Sequence, residues 1–284
     1  MEQTKPKYYK QITSEHHLLD LNLKEVWQYR DLIVLFTKRN FITRYKQTVL
    51  GPAWLFINPI ISSLIYCFIF GGIAGISTGG VPQMLFYMLG NAVWIFFSSC
   101  VTKNASTFTA NAGVFGKVYF PRLSVPISNI LTSVAEFGIQ MILVMVFLVY
   151  YLIIGTAHPN WAAWLLIPLL LIELGIMGMG VGIIISSLTT KYRDLSILVS
   201  FAVQLWMYIT PVVYPLSQAG SGFLRTVLLI NPVTAPAEVF RYAVLGEGEI
   251  IPLALIWSVA FTVIVAFVGI MIFNKVEKTF MDTV

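Results

Sequence analysis

Six apolar stretches dominate the chain, at residues 50–74, 84–102, 124–154, 162–188, 195–217 and 251–273. Each meets the roughly 17 to 25 apolar residues that a helix needs to cross a hydrocarbon core about 30 Å thick. The pattern predicts an all-α fold: a polytopic membrane protein with six transmembrane helices. Residues 1–21 are polar and read as a leader. From Asn22, a residue type that caps helices, the pattern to residue 49 turns helical, with Leu23, Val26, Trp27, Leu32, Ile33, Phe36 and Phe41 at three-to-five spacing. Arg30, Lys38, Arg39, Arg44 and Lys46 fall mostly elsewhere. So charged a segment does not insert. It reads as one or two amphipathic interface helices on a leaflet, with a packed helix as the alternative.

The connections carry their own signals. Gly51-Pro52 breaks the amphipathic segment, and Pro59 inside the first span is expected to kink it. Glycines 71, 72, 75, 79 and 80 with Pro82 form a short turn to the second span. Residues 103–122 hold small polar side chains at Asn104, Ser106, Thr107, Thr109 and Asn111, then Gly113 and Gly116, and end in Lys117-Val118-Tyr119-Phe120-Pro121-Arg122. This loop predicts a short helix ending near Gly113 or Gly116, then an extended stretch; it reads as a docking element or as an ordinary connection. Gly178, Gly182 and Ser186 give the fourth span a face of small residues that permits close helix approach. Tyr150, Tyr151, Trp161 and Trp164 sit where an interfacial aromatic belt is expected. Residues 215–250 contain two apolar runs around Asn231-Pro232, too short to cross, and suit two helices that dip into the outer leaflet and return. The domains expected are thus 1–21 (leader), 22–49 (interface helix) and 50–284 (a six-span domain).

Charge orients this arrangement. The N-terminal segment holds 9 Lys and Arg, and the segments after the second, fourth and sixth spans hold 3, 2 and 2. Those after the first, third and fifth hold 0, 0 and 2. The positive-inside rule therefore places both termini in the cytoplasm. Composition agrees: 57% of the 284 residues are hydrophobic and 11% charged, where a soluble domain carries about a quarter charged. The net charge of +5 flanks the spans, which points to membrane lipids and cytosolic partners and excludes a nucleic-acid footprint. No early apolar run marks a signal peptide in the first 49 residues. Cys67 and Cys100 lie within spans and imply neither a disulfide framework nor a metal site.

Candidate chemistry is sparse. Gly116-Lys117 is followed by valine and lacks the glycine that a phosphate-binding loop requires, so ATP is expected on another chain and no cofactor on this one. His16, His17 and His158 join no catalytic constellation, and the chain reads as no enzyme. Glu136, with Gln140 one turn on, and Glu173 lie within spans, where an acid is by default a functional group. Structural or cavity-lining roles are the favoured reading of both. Glu238, Glu247 and Glu249 are expected to solvate the outer loops. Aromatics cluster in the first, second and fifth spans, either packing or offering flat surfaces on which sugars slide.

Several strings match a family. Tyr29-Arg30-Asp31-Leu32, Lys38-Arg39-Asn40-Phe41 and Arg44-Tyr45-Lys46-Gln47-Thr48-Val49-Leu50-Gly51 resemble the amino-terminal signature of polysaccharide-exporting type-2 ABC permeases. So do residues 117–122, Lys191-Tyr192-Arg193-Asp194, Pro211-Val212-Val213-Tyr214-Pro215 and Asn231-Pro232. The resemblance runs in order from about residue 24 to the C-terminus. It implies a multi-pass permease of the cytoplasmic (inner) membrane that homodimerises around a channel. Two copies of a separate ABC ATPase, carrying ATP and magnesium, would drive export of a lipid-linked polysaccharide such as O antigen, teichoic acid or capsule. Ser106, Thr107, Phe108, Thr109, Asn111 and Phe115 would form the coupling element, Tyr192, Arg193 and Asp194 a second ATPase contact, and residues 215–250 two external gate helices. Trp54, Tyr66, Phe97 and Trp206 become the channel-lining candidates. The alternatives are a drug- or lipid-exporting permease and a membrane transferase acting on lipid-linked sugars.

Overall fold

The computed structural model describes residues 23–46, 48–115, 120–191 and 194–283. The leader, Asn22, Gln47, residues 116–119, Tyr192 and Arg193 lie outside the described residues. Among the described residues all regular structure is helical. The amphipathic segment forms two helices, α1 (Leu23–Gln28) and α2 (Arg30–Lys46). The first span begins with a tight turn at Gly51–Ala53, continues as α3 (Trp54–Tyr66) around Pro59, and widens into a π-helical stretch at Cys67–Ile73. After the glycine turn come α4 (Gln83–Ala105), the short α5 (Thr107–Phe115) and α6 (Ser124–Ile154). Gly155 ends α6 in the left-handed region at φ 79°, a conformation that glycine adopts without steric cost. A 3-10 stretch at Trp161–Leu166 leads into α7 (Ile167–Lys191). Then follow α8 (Leu195–Tyr208), α9 (Phe223–Ile230), α10 (Thr234–Leu245) and α11 (Pro252–Thr283).

The centre of the bundle is α4, 78% buried where the spans built on α3, α6 and α11 are 17% to 22% buried. Its side chains Leu85, Phe86, Tyr87, Met88 and Leu89 have almost no exposed surface. The small-residue face of α7 packs on it, as the spacing predicted. A β-carbon on Gly178 would lie 2.6 Å from the Cys100 side chain, and one on Gly182 would lie 2.6 Å from the Val101 carbonyl. Backbone cannot yield at that distance, so glycine sets the helix separation. On the other face of α7, a β-carbon on Gly180 would lie 2.9 Å from Val265 of α11, and one on Gly269 of α11 would lie 3.1 Å from the Gly180 carbonyl.

The amphipathic segment departs from a helix merely resting on a leaflet. Ile33, Phe36 and Tyr45 are buried, and α2 runs beside the first turns of α6, with contacts from Thr37 to Ser128, Asn40 to Asn129 and Arg44 to Glu136. Trp27, Leu35 and Ile42 nevertheless remain exposed beside Arg30, Lys38, Arg39, Arg44 and Lys46, the composition of an interfacial surface.

The expected fifth span, 195–217, is not one helix. Among the described residues five helices are long and apolar enough to cross a membrane, whereas α8 has only 14 residues. At 1.5 Å per residue it covers roughly 21 Å. Pro211 ends it, since proline supplies no N–H to continue the ladder and disfavours helix just before itself. The chain then turns, burying Val212, Val213 and Leu216. The α9 and α10 pair, bent by 90°, reaches in to meet this end of α8, and eleven of the twelve residues of α10 are buried.

Candidate functional site

At the end of the bundle where α4 stops, Ser106 interrupts the helix and α5 begins. The six residues grouped by sequence as a coupling element divide here. Ser106 and Thr109, with Ala110 and Gly113, face outward, and Asn111 is half-buried with its amide donating to the Thr107 carbonyl at 2.9 Å. Thr107, Phe108 and Phe115 point inward and are buried, so they anchor the helix rather than offer a contact. The Phe108 ring stacks on Phe273 of α11 at 5.0 Å, and its backbone N–H donates to the Ser186 hydroxyl at 3.2 Å. Phe115 leans on Phe120, which meets Phe36 of α2 edge-on at 5.6 Å. One aromatic cluster thus ties α5 to α2 and α11. Asp194 is exposed at the start of α8, and a groove of about 380 Å³ runs between there and α5, with hydroxyls at Thr102, Ser106, Thr109, Thr189, Ser196 and Ser200 on its walls.

Glu136 lies at the same end. Its carboxylate accepts from Arg44 Nη1 at 3.1 Å and from Lys103 Nζ at 2.9 Å, and the Tyr45 hydroxyl lies at 3.5 Å. Lys103 also donates to the Ser133 hydroxyl at 3.1 Å. Burial, and then the Glu136 charge, push the Tyr45 phenol up to about 12, so it stays protonated. The lone acid read from the sequence is in fact a clamp joining α2, α4 and α6.

At the opposite end the α9 and α10 corner is held by Asn231. Its amide oxygen accepts from the Trp206 indole at 3.0 Å and from the Val233 N–H at 3.2 Å, while its amide nitrogen donates to the Ile209 carbonyl at 2.9 Å. The Trp257 indole donates to the Ile230 carbonyl at 2.7 Å. The Ser258 hydroxyl lies 2.5 Å from Glu173 and 2.7 Å from the Pro232 carbonyl. About two turns into α10, Arg241 is 2% exposed. It donates to Glu238 at 2.6 Å and to the Val212 carbonyl at 2.8 Å, and sits 4.1 Å from the Phe86 ring centre. Glu238 also accepts from the Glu249 N–H, and Glu249 pairs with Arg225. Glu238 and Glu249 therefore bind structure together instead of solvating loops. Only Glu247 of the three is exposed.

The four channel-lining candidates fall in different surroundings. Trp54 is 39% exposed. Tyr66 is half-buried beside Phe70 and Tyr87, its hydroxyl 3.8 Å from the Met207 sulfur. Trp206 is half-buried, with its indole N–H committed to Asn231. Phe97 has no exposed surface and packs edge-on against Trp206 at 5.2 Å. In this conformation the Phe97 ring backs Trp206 and has no surface of its own. Sequence reasoning missed Arg241 as a core residue, although a lone arginine in an apolar run with an acid three residues earlier is a legible helical pair.

Residues 31–245 match the profile of the ABC-2 type transporter family. An O-antigen export system permease protein RfbA of Klebsiella pneumoniae is 30% identical over 258 residues, covering 89% of this chain and 94% of the relative. The protein of that name from Myxococcus xanthus is 29% identical over 217 residues, 75% of this chain and 80% of its own. The polysialic acid transport protein KpsM of Escherichia coli is 23% identical over 248 residues, 86% and 93% of the two chains. With five long apolar helices, the bent pair and a family match across most of its length, the chain belongs to the ABC-2 type transporter family.

Proposed function

We propose that this chain is the membrane permease subunit of an ABC exporter that carries a lipid-linked polysaccharide across the cytoplasmic membrane. A separate ATPase subunit, present in two copies and using ATP with magnesium, drives two copies of the permease. The observation that carries this reading is the nearly end-to-end similarity to a permease named for O-antigen export. The outward face of α5 suits the coupling contact, because its buried face fixes it to α2, α7 and α11 and so transmits a push to the spans. Exposed apolar side chains on the first span and α8, among them Phe68 of the π-helical stretch, Leu198 and Phe201, suit the seam between two copies. The α9 and α10 pair suits an outer gate, and Trp54, Tyr66 and Trp206 a stacking surface for sugars. Both termini face the cytoplasm in this reading.

The test is complementation. Cells lacking their own O-antigen or capsule permease should regain surface polymer when given this chain with its partner ATPase, and lose it when the ATPase cannot hydrolyse ATP. Absence of polymer despite correct insertion and assembly would refute the reading. Glu173 offers a finer check. Glu173→Gln keeps a group able to bond Ser258, so export should stay within about twofold of wild type, the change expected when one hydrogen bond replaces another. Loss of export in a stable Glu173→Gln protein would instead require an ionisable group at this position.

A further inference from the structure

A cavity of about 380 Å³ lies where α2, α3, α4 and α6 meet, and the clamp on Glu136 forms one wall. Two cations, Arg44 and Lys103, face it against the single carboxylate of Glu136, so its formal charge is +1. Arg44 keeps 55% of its side chain exposed. Only Nη1 of its guanidinium is engaged with Glu136, which leaves further N–H donors for a ligand. Gln140, 5% exposed, lines the same cavity, and its amide oxygen has no hydrogen-bond partner. A buried amide left in this way is costly unless something else fills the site, and a half turn offers that something either its oxygen or its NH₂. Asn58 and Thr102 complete a mouth of exposed polar side chains beside Trp54.

The position says what fits. The interface helix ends here and the first span starts here, so the mouth lies at the level of lipid headgroups and opens beside a half-exposed tryptophan. A phosphate brought by a lipid can reach Arg44 while its hydrocarbon tail stays beside the exposed Trp54 on the cavity wall. We propose that this cavity binds a lipid-borne phosphate. Resting on the exporter reading, the substrate's own carrier supplies one source, since a glycan joined to a polyprenyl lipid through phosphate presents this group; ordinary anionic phospholipid is the other.

The test uses the full permease with its ATPase partner in detergent, with retained lipid counted by native mass spectrometry. The probes are undecaprenyl pyrophosphate and phosphatidylglycerol. Arg44→Gln and Thr102→Asp each take the cavity to zero formal charge, the second at an exposed position where folding is undisturbed. Each should weaken retention about tenfold, the scale of one charge-assisted contact, and Arg44→Lys should restore most of it. Rising salt should weaken the wild type in parallel. Tighter retention of the pyrophosphate identifies the carrier as the source, and equal retention identifies phospholipid; both support the site. Retention unchanged in Arg44→Gln and Thr102→Asp, or absent from the wild type, overturns it. The complementation result is read separately, so a permease that exports polymer with unaltered lipid retention in both variants refutes this site alone.

Discussion

Thr109→Arg combined with Ala110→Trp on the outward face of α5 is expected to abolish polymer export while the permease still folds and inserts. Both positions are exposed and neither touches the aromatic anchor beneath. A docking face tolerates bulk and charge poorly, and a central contact of this kind is worth about 2 kcal/mol or more, so a loss of roughly thirtyfold or greater is expected. Surface polymer and co-purification of the ATPase measure the two halves of the result. The contrasting variant is Phe108→Ala, which removes a fully buried ring stacked on Phe273. It should destabilise the protein itself by about 3 to 5 kcal/mol, seen as lost folded protein on size exclusion. If the paired outward substitutions export normally, α5 is a connecting helix and energy enters elsewhere.

Arg241→Leu should cause the largest loss of stability of any single charged residue. Arginine and its partner Glu238 are each 2% exposed, and the guanidinium also holds the carbonyls of Val212 and Tyr214. Its removal strands a buried carboxylate and frees two carbonyls, for a cost of about 3 to 5 kcal/mol. Arg241→Lys should recover little of it, because an ammonium cannot span Glu238 and the Val212 carbonyl with the same planar fork. Glu238→Gln with Arg241→Met should be milder than Arg241→Leu, since no unpaired charge remains buried. Thermal unfolding of the purified permease in detergent gives the ranking. An Arg241→Leu protein as stable as wild type would mean that the pair contributes no net stabilisation.

These two sites differ in how far they were readable from the chain alone. The position and helicity of α5 follow from its composition, but its division into an outward and an inward face does not. Phe108 and Thr109 are neighbours in the chain, and only the approach of Phe273 and Ser186 from α11 and α7 makes the first an anchor and leaves the second on the exposed face. Glu136 was visible as an acid in a span and favoured as structural or cavity-lining. Its partners, Arg44 and Lys103, lie 92 and 33 residues away, a separation over which no local periodicity carries information. Phe97 was one of a cluster of similar rings, and aromaticity does not distinguish a ring on a path from a ring behind it.

The sequence by itself determined what depends on local composition and charge. That comprises the all-helical membrane class, the short loop helix, the close-packing face of α7, and the family. Lipid allows few backbone solutions, so runs of apolar residues translate almost directly into helices. Tertiary structure alone decided that the α9 and α10 corner meets the end of α8 through Asn231, and that Glu238 pairs inward. The physical reason is that the fate of a buried polar group is settled by which distant atoms arrive to satisfy it, and hydropathy along the chain records only the need for such partners.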